Sequence, residues 1–280
     1  WTSLTIIGVP AAVVLVIPDV GSLLVFTAYF IVLFREGLSG WFFGVGGILA
    51  AVFLTALAID PIYIIIGIAL IYGIIILFNS YKIHWDIYAV VYFAGSFILL
   101  CGLAYGSPKI LEKMPKHQRE RIEVLYKGEK AFRDTSGYNL LYSKTAIGSG
   151  GFFGKGYKEG SVTQGKFVPE QETDYIFCTV GEEWGFFGAS VLILFYTIFI
   201  GRIYYLSEQQ KSTFNRVFGY CFASILLMHF AINLGMVMGL FPTVGIPLPF
   251  FSYGGSSFLA FSIMTFIFFK LNYTDRNSLV

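Results

Sequence analysis

Apolar runs long enough to cross a membrane recur along most of this chain, at residues 2–17, 20–34, 41–59, 62–78, 87–105, 184–206, 217–240 and about 254–269. A membrane-spanning helix needs about 20 residues, or about 17 at the low end. The first two runs are short by that measure and are expected to continue through their polar ends. Short polar breaks such as Asp60-Pro61 separate most neighbours, but residues 106–183 form one long polar interval. The pattern predicts an all-α polytopic membrane helix bundle of eight spans. Its expected organisation is N-terminal spans over 1–105 with a hairpin at about 41–78, a large loop over 106–183, and a three-span region over 184–280.

Composition excludes a large soluble core. The 280 residues are 56% hydrophobic and 13% charged, against about 25% charged in soluble domains. A net charge of +2 is too small to indicate a nucleic-acid partner. Cys101 and Cys221 sit in apolar runs, Cys178 has no evident partner, and neither a disulfide framework nor a metal spacing is present. His84, His117 and His229 are isolated. The chain opens at Trp1 with no basic segment ahead of its first apolar run, so no signal peptide is read.

Charge orients the spans. Twelve of the 19 Lys and Arg fall in 106–183, too long a loop to count toward the positive-inside rule. The other seven are Arg35, Lys82, Arg202, Lys211, Arg216, Lys270 and Arg276. With eight alternating spans all seven fall on one side, which the rule makes cytoplasmic. The large loop then faces outward, where nucleotide sugars and ATP are not at hand. A substrate there is expected to be outside already or embedded in the membrane.

Residues 143–186 crowd glycines and ionisable groups between membrane runs, with Glu170, Glu172, Asp174, Glu182 and Glu183 among them. Carboxylates beside hydrocarbon are costly and usually carry function. Val168-Pro169-Glu170 followed by Thr173-Asp174-Tyr175-Ile176-Phe177 reads as a helix start, with proline in the first turn. If helical, Glu170 and Asp174 share a face and raise each other's pKa, which suits a general base. A solvated acidic helix end fits the same spacing. Glu182 reads as helix capping, whereas Glu183 sits deeper. Gly148-Ser149-Gly150-Gly151-Phe152-Phe153-Gly154-Lys155-Gly156 fails the phosphate-loop pattern: Gly148 is one residue too far from Gly154, and Gly156 stands where Ser or Thr would hold magnesium. Two readings remain. Either the glycines let backbone amides approach an anion beside Lys144, Lys155 and Lys158, or the segment is a flexible re-entrant loop.

Asn233 lies inside a span, where a buried amide must find partners. Pro242, Pro247 and Pro249 then interrupt the chain ahead of Tyr253-Gly254-Gly255-Ser256. Irregular backbone at membrane depth is tolerated only where it is buried or lines a cavity. Asp19 and Ser22 stand at the outer boundary of the first hairpin, as a tight turn or as groups of a site. Arg119-Glu120-Arg121 ahead of Ile122 and Leu125 suggests an interfacial helix.

Three stretches, GYNLLYSKTAIGSGGFFGKG, VPEQETDYIFCTVGEEWGFFG and NLGMVMGLFPTVGIPLPFFSYGGSS, resemble the signature segments of the SEDS family of shape, elongation, division and sporulation proteins. Pro18-Asp19-Val20-Gly21-Ser22 resembles a further one, and the likeness runs from Leu4 onward. The resemblance implies a peptidoglycan glycosyltransferase that polymerises lipid II, with inversion, at the outer face of the cytoplasmic membrane. It implies a class B penicillin-binding transpeptidase as partner. The Pro-Asp motif, and Ser143-Lys144 next to Ala146-Ile147-Gly148, are more similar to the elongation branch, RodA, than to the division branch, FtsW.

The resemblance makes Asp174 the catalytic base. Arg119, Arg121, Lys144 and Lys155 become candidates for the leaving diphosphate, and Asp19 and Glu170 for orienting groups or holding a divalent cation such as magnesium or manganese. Ser149, Gly150, Gly151, Glu183, Tyr253, Gly254, Gly255 and Ser256 would line the substrate cavity. The chain departs from the family in two ways. A typical member has ten spans, whereas this chain begins within the fifth, so the N-terminal half-bundle is expected to be missing and the chain alone incomplete as an enzyme. Three spans rather than one separate Gly37-Leu38-Ser39 from the large loop, and the added hairpin preserves the loop's orientation. A lipid II flippase and a non-catalytic scaffold are the rival readings. A flippase needs polar groups through the midplane, where Asn233 and His229 stand nearly alone.

Overall fold

The computed structural model describes residues 2–16, 19–79 and 86–277; Trp1, Pro18, Lys82 and His84 lie outside the described residues. The described chain is helical, without strands, and divides into two compact units. It opens with α1 (Thr2–Val16), α2 (Val20–Phe26) and α3 (Ala28–Arg35). The smaller unit, residues 39–128, holds α4 (Trp41–Ala58), α5 (Pro61–Asn79), α6 (Ile87–Lys113) and α7 (Lys116–Lys127). A 3-10 turn (Glu129–Phe132) leads into α8 (Tyr138–Ser149), α9 (Ser161–Gln164) and α10 (Ile176–Glu183). The chain ends with α11 (Gly185–Glu208), α12 (Thr213–Met238) and α13 (Gly255–Asn277). Residues 1–38 and 129–280 make the larger unit.

In the smaller unit α4 and α5 both pack on α6, around buried Ala56, Ile68 and Ala104. Their large side chains, Ile62, Leu70 and Leu77 among them, stay exposed. Helices apolar all round suit lipid as their solvent. The Tyr72 hydroxyl donates to Ser96 Oγ at 2.8 Å and joins α5 to α6. The sequence pattern ends the fifth span near residue 105, yet α6 runs to Lys113 through Pro108. Proline removes one helix bond. The Ser107 hydroxyl donates to the Leu103 carbonyl at 2.6 Å, and the helix continues past the break. The helix expected around Arg119 is α7, laced by Arg119–Glu123 and Lys127–Glu123 pairs.

The larger unit is built on α12, which packs against α2, α3, α8, α11 and α13. Phe222, Leu226, Ile232 and Met236 on α12 are buried. Charges gather at one end. Arg35 at the end of α3 pairs with Glu208 at the end of α11, and Arg216 near the start of α12 pairs with Glu36 at 3.0 Å. Asp275 on α13 accepts the N–H groups of Lys211 (2.9 Å) and Ser212 (3.2 Å). It also accepts the Asn215 amide at 3.2 Å, so α13 ties down the segment that leads into α12. Basic residues that the sequence pattern puts on one side, Arg35, Lys211 and Arg216, thus meet at one end of the unit.

Among the described residues six helices (α4, α5, α6, α11, α12 and α13) are long and apolar enough to cross a membrane, and shorter apolar helices occupy Thr5–Val14 and Val20–Arg35. The protein is a polytopic helical membrane protein. Asp275→Ala removes the acceptor of the Lys211 and Ser212 N–H groups ahead of α12 and is expected to cost about 1–3 kcal/mol. That loss should lower the melting temperature in detergent by a few degrees with helix content unchanged, read by circular dichroism.

Candidate functional site

Residues 169–175 do not start a helix. They form successive turns, and α10 begins only at Ile176. Glu170 has φ of 55°, in the left-handed region, and its carbonyl accepts from the N–H groups of Thr173 and Tyr175 at 3.2 Å each. Those bonds skip the i+4 partner a helix requires, so the shared helical face expected for Glu170 and Asp174 is absent. The Glu170 carboxylate instead accepts the Thr173 hydroxyl at 3.1 Å. With Lys166, Gln171, Glu172 and Tyr253 it lines a cleft of about 390 Å³.

Three consecutive carbonyls of this turn are held by the C-terminal region. Glu172 O accepts the Tyr253 N–H at 2.8 Å. Thr173 O accepts the Ser252 hydroxyl at 2.6 Å, and Asp174 O accepts the Asn233 amide at 2.8 Å. Asn233 is fully buried on α12 and donates also to the Ile246 carbonyl at 2.7 Å. His229, one turn earlier on α12, bonds the Pro247 carbonyl through Nδ1 at 3.2 Å.

The strap between α12 and α13 is irregular, as its prolines predict, and its residues 244–247 pass between the two principal acids. A Cβ on Gly245 would lie 3.1 Å from Asp174 Oδ2. On the other side, a Cβ on Gly21 would lie 2.6 Å from the Val244 oxygen and 3.3 Å from Asp19 Oδ1. Asp19 caps α2, and the Ser22 hydroxyl and N–H hold its carboxyl below the usual range. With Ser22, His229, Gly245 and Pro247 it lines a cavity of about 240 Å³. Asp19 and Asp174 thus approach one strap from two sides. Tyr253 is exposed at the start of α13, beside Gly254, Gly255 and the exposed Ser256.

A second cluster sits at the far end of α10, where Glu182 is completely buried. Its carboxylate accepts from Lys155 Nζ (2.7 Å), Val162 N–H (3.0 Å), Thr163 N–H (2.8 Å) and Ser149 Oγ (3.3 Å). Burial pushes the Glu182 pKa up, but Lys155 and the two amides outweigh it and bring the group down to about 2. Lys155 also donates to Ser161 Oγ at 2.9 Å. Its charge is therefore engaged inside the protein. The glycine-rich segment is packed: the N–H groups of Lys155 and Gly156 donate to the Glu182 and Glu183 carbonyls at 3.0 Å each. A Cβ on Gly150 would lie 2.0 Å from the Gly181 oxygen. These glycines bring backbone against backbone. Gly151 has φ of 58°, and its carbonyl accepts the Phe186 N–H at 2.9 Å.

The remaining candidates lie apart from these clusters or add little to them. Glu183 is buried next to Glu182. Lys144 on α8 pairs with Glu129 at 3.3 Å and is partly exposed. Arg119 and Arg121 belong to α7 in the smaller unit. All three cysteines are free, and burial pushes the Cys178 thiol up to about 12. Among the described residues no three His, Cys, Asp or Glu side chains gather to hold a metal ion. Sequence reasoning read Glu182 as a helix cap, passed over Ser252 and did not place Asn233 in the site. The amide inside an apolar run was the one available signal.

Three outcomes follow from this geometry. The usual Glu value is 4.5, and Glu182 sits lower in the folded state. Its contribution is complete above about pH 4.5 and is lost as pH falls toward 2. Thermal melts in detergent should therefore weaken over that window, and Glu182→Gln should flatten the dependence. Lys155→Ala, which strands a buried charge, is expected to cost about 3 kcal/mol at neutral pH. Gly245 has φ of 71°, so Gly245→Ala combines backbone strain with pressure on the Asp174 carboxylate. It should reduce whatever activity Asp174 supports while the melting temperature falls by only a few degrees.

A family profile described as "Cell cycle protein", FtsW/RodA/SpoVE, matches residues 48–277. The chain is 40% identical over 146 residues to "Peptidoglycan glycosyltransferase MrdB" of Escherichia coli (strain K12), covering 52% of this chain and 39% of that protein. It is 31% identical over 173 residues to "Peptidoglycan glycosyltransferase RodA" of Treponema pallidum (strain Nichols), covering 62% and 40% respectively. The chain thus spans about two fifths of the length of these relatives. A solved chain from "Structural coordination of polymerization and crosslinking by a peptidoglycan synthase complex" shares the fold. Its TM-score is 0.60 at 23% identity, over 98% of this chain and 60% of that one. With the profile matched along most of its length, this chain belongs to the FtsW/RodA/SpoVE family.

Proposed function

We propose that this chain carries the catalytic site of a peptidoglycan glycosyltransferase that polymerises lipid II, in the elongation branch of the family, with Asp174 as general base. The observation that carries this reading is the setting of Asp174. It stands on a turn whose carbonyls are held in place, and its carboxylate reaches the strap that Asp19 reaches from the other side. The names of the two relatives support the same activity.

In this reading the acceptor GlcNAc 4-hydroxyl attacks C1 of the MurNAc that ends the growing chain. Asp174 takes the hydroxyl proton, and undecaprenyl diphosphate leaves with inversion. The departing anion needs positive charge. Lys144, paired with Glu129, is the candidate in the larger unit. A magnesium ion is held by one or two carboxylates together with phosphate oxygens. Asp19 fits that role for magnesium or manganese, and such an ion would neutralise the diphosphate. Glu170 and Tyr253 would contact sugar in the cleft they line. The site faces outward, and a class B penicillin-binding transpeptidase crosslinks the product.

The test is lipid II polymerisation by the full-length protein with its transpeptidase, wild type against Asp174→Asn. The substitution keeps size and removes the base, and a loss of about 10²–10⁴-fold is expected. Unchanged polymerisation would discard Asp174 as base and direct attention to Glu170 or Asp19. Lipid II crossing liposomes with no polymer formed would favour a flippase.

A further inference from the structure

The three bonds that hold residues 172–174 come from elements that are not near them in sequence. Asn233 is the most constrained of the donors. It is fully buried, and its amide nitrogen bridges Asp174 O at 2.8 Å and Ile246 O at 2.7 Å. One amide thus joins the turn that carries Asp174 to the strap its carboxylate faces. Ser252 makes a parallel link. Its buried hydroxyl donates to Thr173 O at 2.6 Å and accepts the Leu248 N–H at 2.7 Å. Both residues act on backbone.

We propose that Asn233 and Ser252 are positioning residues that set the distance of the Asp174 carboxylate from the 244–247 strap. The proposal rests on the reading of Asp174 as the base. A turn outside regular structure has no helix or strand ladder to fix it, so its aim depends on whatever holds its carbonyls. Residues 169–175 form such a turn. The buried length of α12 supplies the rigid reference, and Asn233 transfers that reference to both irregular segments. Loss of the amide frees the turn and the strap to shift relative to each other. Displacements of about 1 Å at a reacting group cost about 10²-fold in rate.

The experiment uses the full-length protein with its transpeptidase and follows lipid II polymerisation by Asn233→Leu, Asn233→Ser and Ser252→Ala. Leucine keeps the side-chain volume and removes both hydrogen bonds, so a residue that only fills space would tolerate it. Asn233→Leu is expected to lower kcat about 10–100-fold with KM within about threefold. Asn233→Ser, which keeps a single donor, should recover part of the loss, and Ser252→Ala should lower kcat less than Asn233→Leu. In an Asp174→Asn background none of the three should reduce the residual rate further, because there is no base left to aim.

Full kcat in folded Asn233→Leu and Ser252→Ala, with Asp174→Asn inactive, overturns the positioning role and leaves the proposed function standing. An active Asp174→Asn overturns both. Additive losses in the Asp174→Asn background show that the two residues act independently of Asp174 and also reject the proposal. If Asn233→Leu does not fold, Ser252→Ala and Asn233→Ser are judged by the same kcat and additivity criteria.

Discussion

A carboxamide buried in a membrane helix has to find hydrogen-bond partners, and that constraint organises the larger unit. Asn233 stands on α12 where the i−4 bonds of the helix already use the local carbonyls. The acceptors within its reach belong to backbone that is not in a helix, at Asp174 and Ile246. Leaving such an amide unpaired costs about 1–3 kcal/mol, so the two irregular segments are drawn to the same point. Irregular backbone survives at this depth only where its own polar groups are paired. The Asn233 nitrogen and the two carbonyls it joins thus satisfy one another, while its buried Oδ1 has no hydrogen-bond partner among the described residues.

Helix α10 links this point to the second cluster. It is eight residues long, with Asp174 just before it and Glu182 in its last turn. The Glu182 carboxylate collects Lys155, Ser149 and the amides at the start of α9, while the glycines after α8 lie against the α10–α11 junction. The glycine-rich segment therefore anchors the far end of α10 and leaves the near end to present Asp174. This division of labour gives Lys155 a structural task and leaves Lys144 as the more available cation of the larger unit.

Much of this was legible in the sequence, for physical reasons that differ by residue. The apolar runs marked the spans because lipid imposes a length, and the matched signature segments marked the family. Glu182 and Glu183 look alike at the head of a span. Only the packing of α9, about twenty residues earlier in the chain, decides that Glu182 is the one that receives the α9 amides. Pro169-Glu170 reads equally as a first helical turn or as an irregular one, and the left-handed φ of Glu170 is set by tertiary contacts. Helix α6 outran its predicted end because Pro108 removes a single helix bond and the helix continues through it. Asn233 drew notice as an amide in an apolar run, but its partners lie 59 and 13 residues away, beyond any local pattern.

The two ends of α12 do different work, and the stretch between them explains why the chemistry stays at one face. Its N-terminal end is tied by Arg216–Glu36 and by the Asp275 bonds to the segment ahead of it, and its C-terminal end holds the turn and the strap. Between them Phe222, Ala223 and Leu226 are buried, and Ser224 is bonded to the Tyr204 hydroxyl at 2.8 Å. Translocation of a charged lipid headgroup needs polar groups spaced through the midplane. Along this helix the buried polar groups with open chemistry collect instead within two turns of the strap, from His229 to Asn233. That distribution puts the polar side chains that bond the strap at one end of α12, where Asp19 and Asp174 approach it.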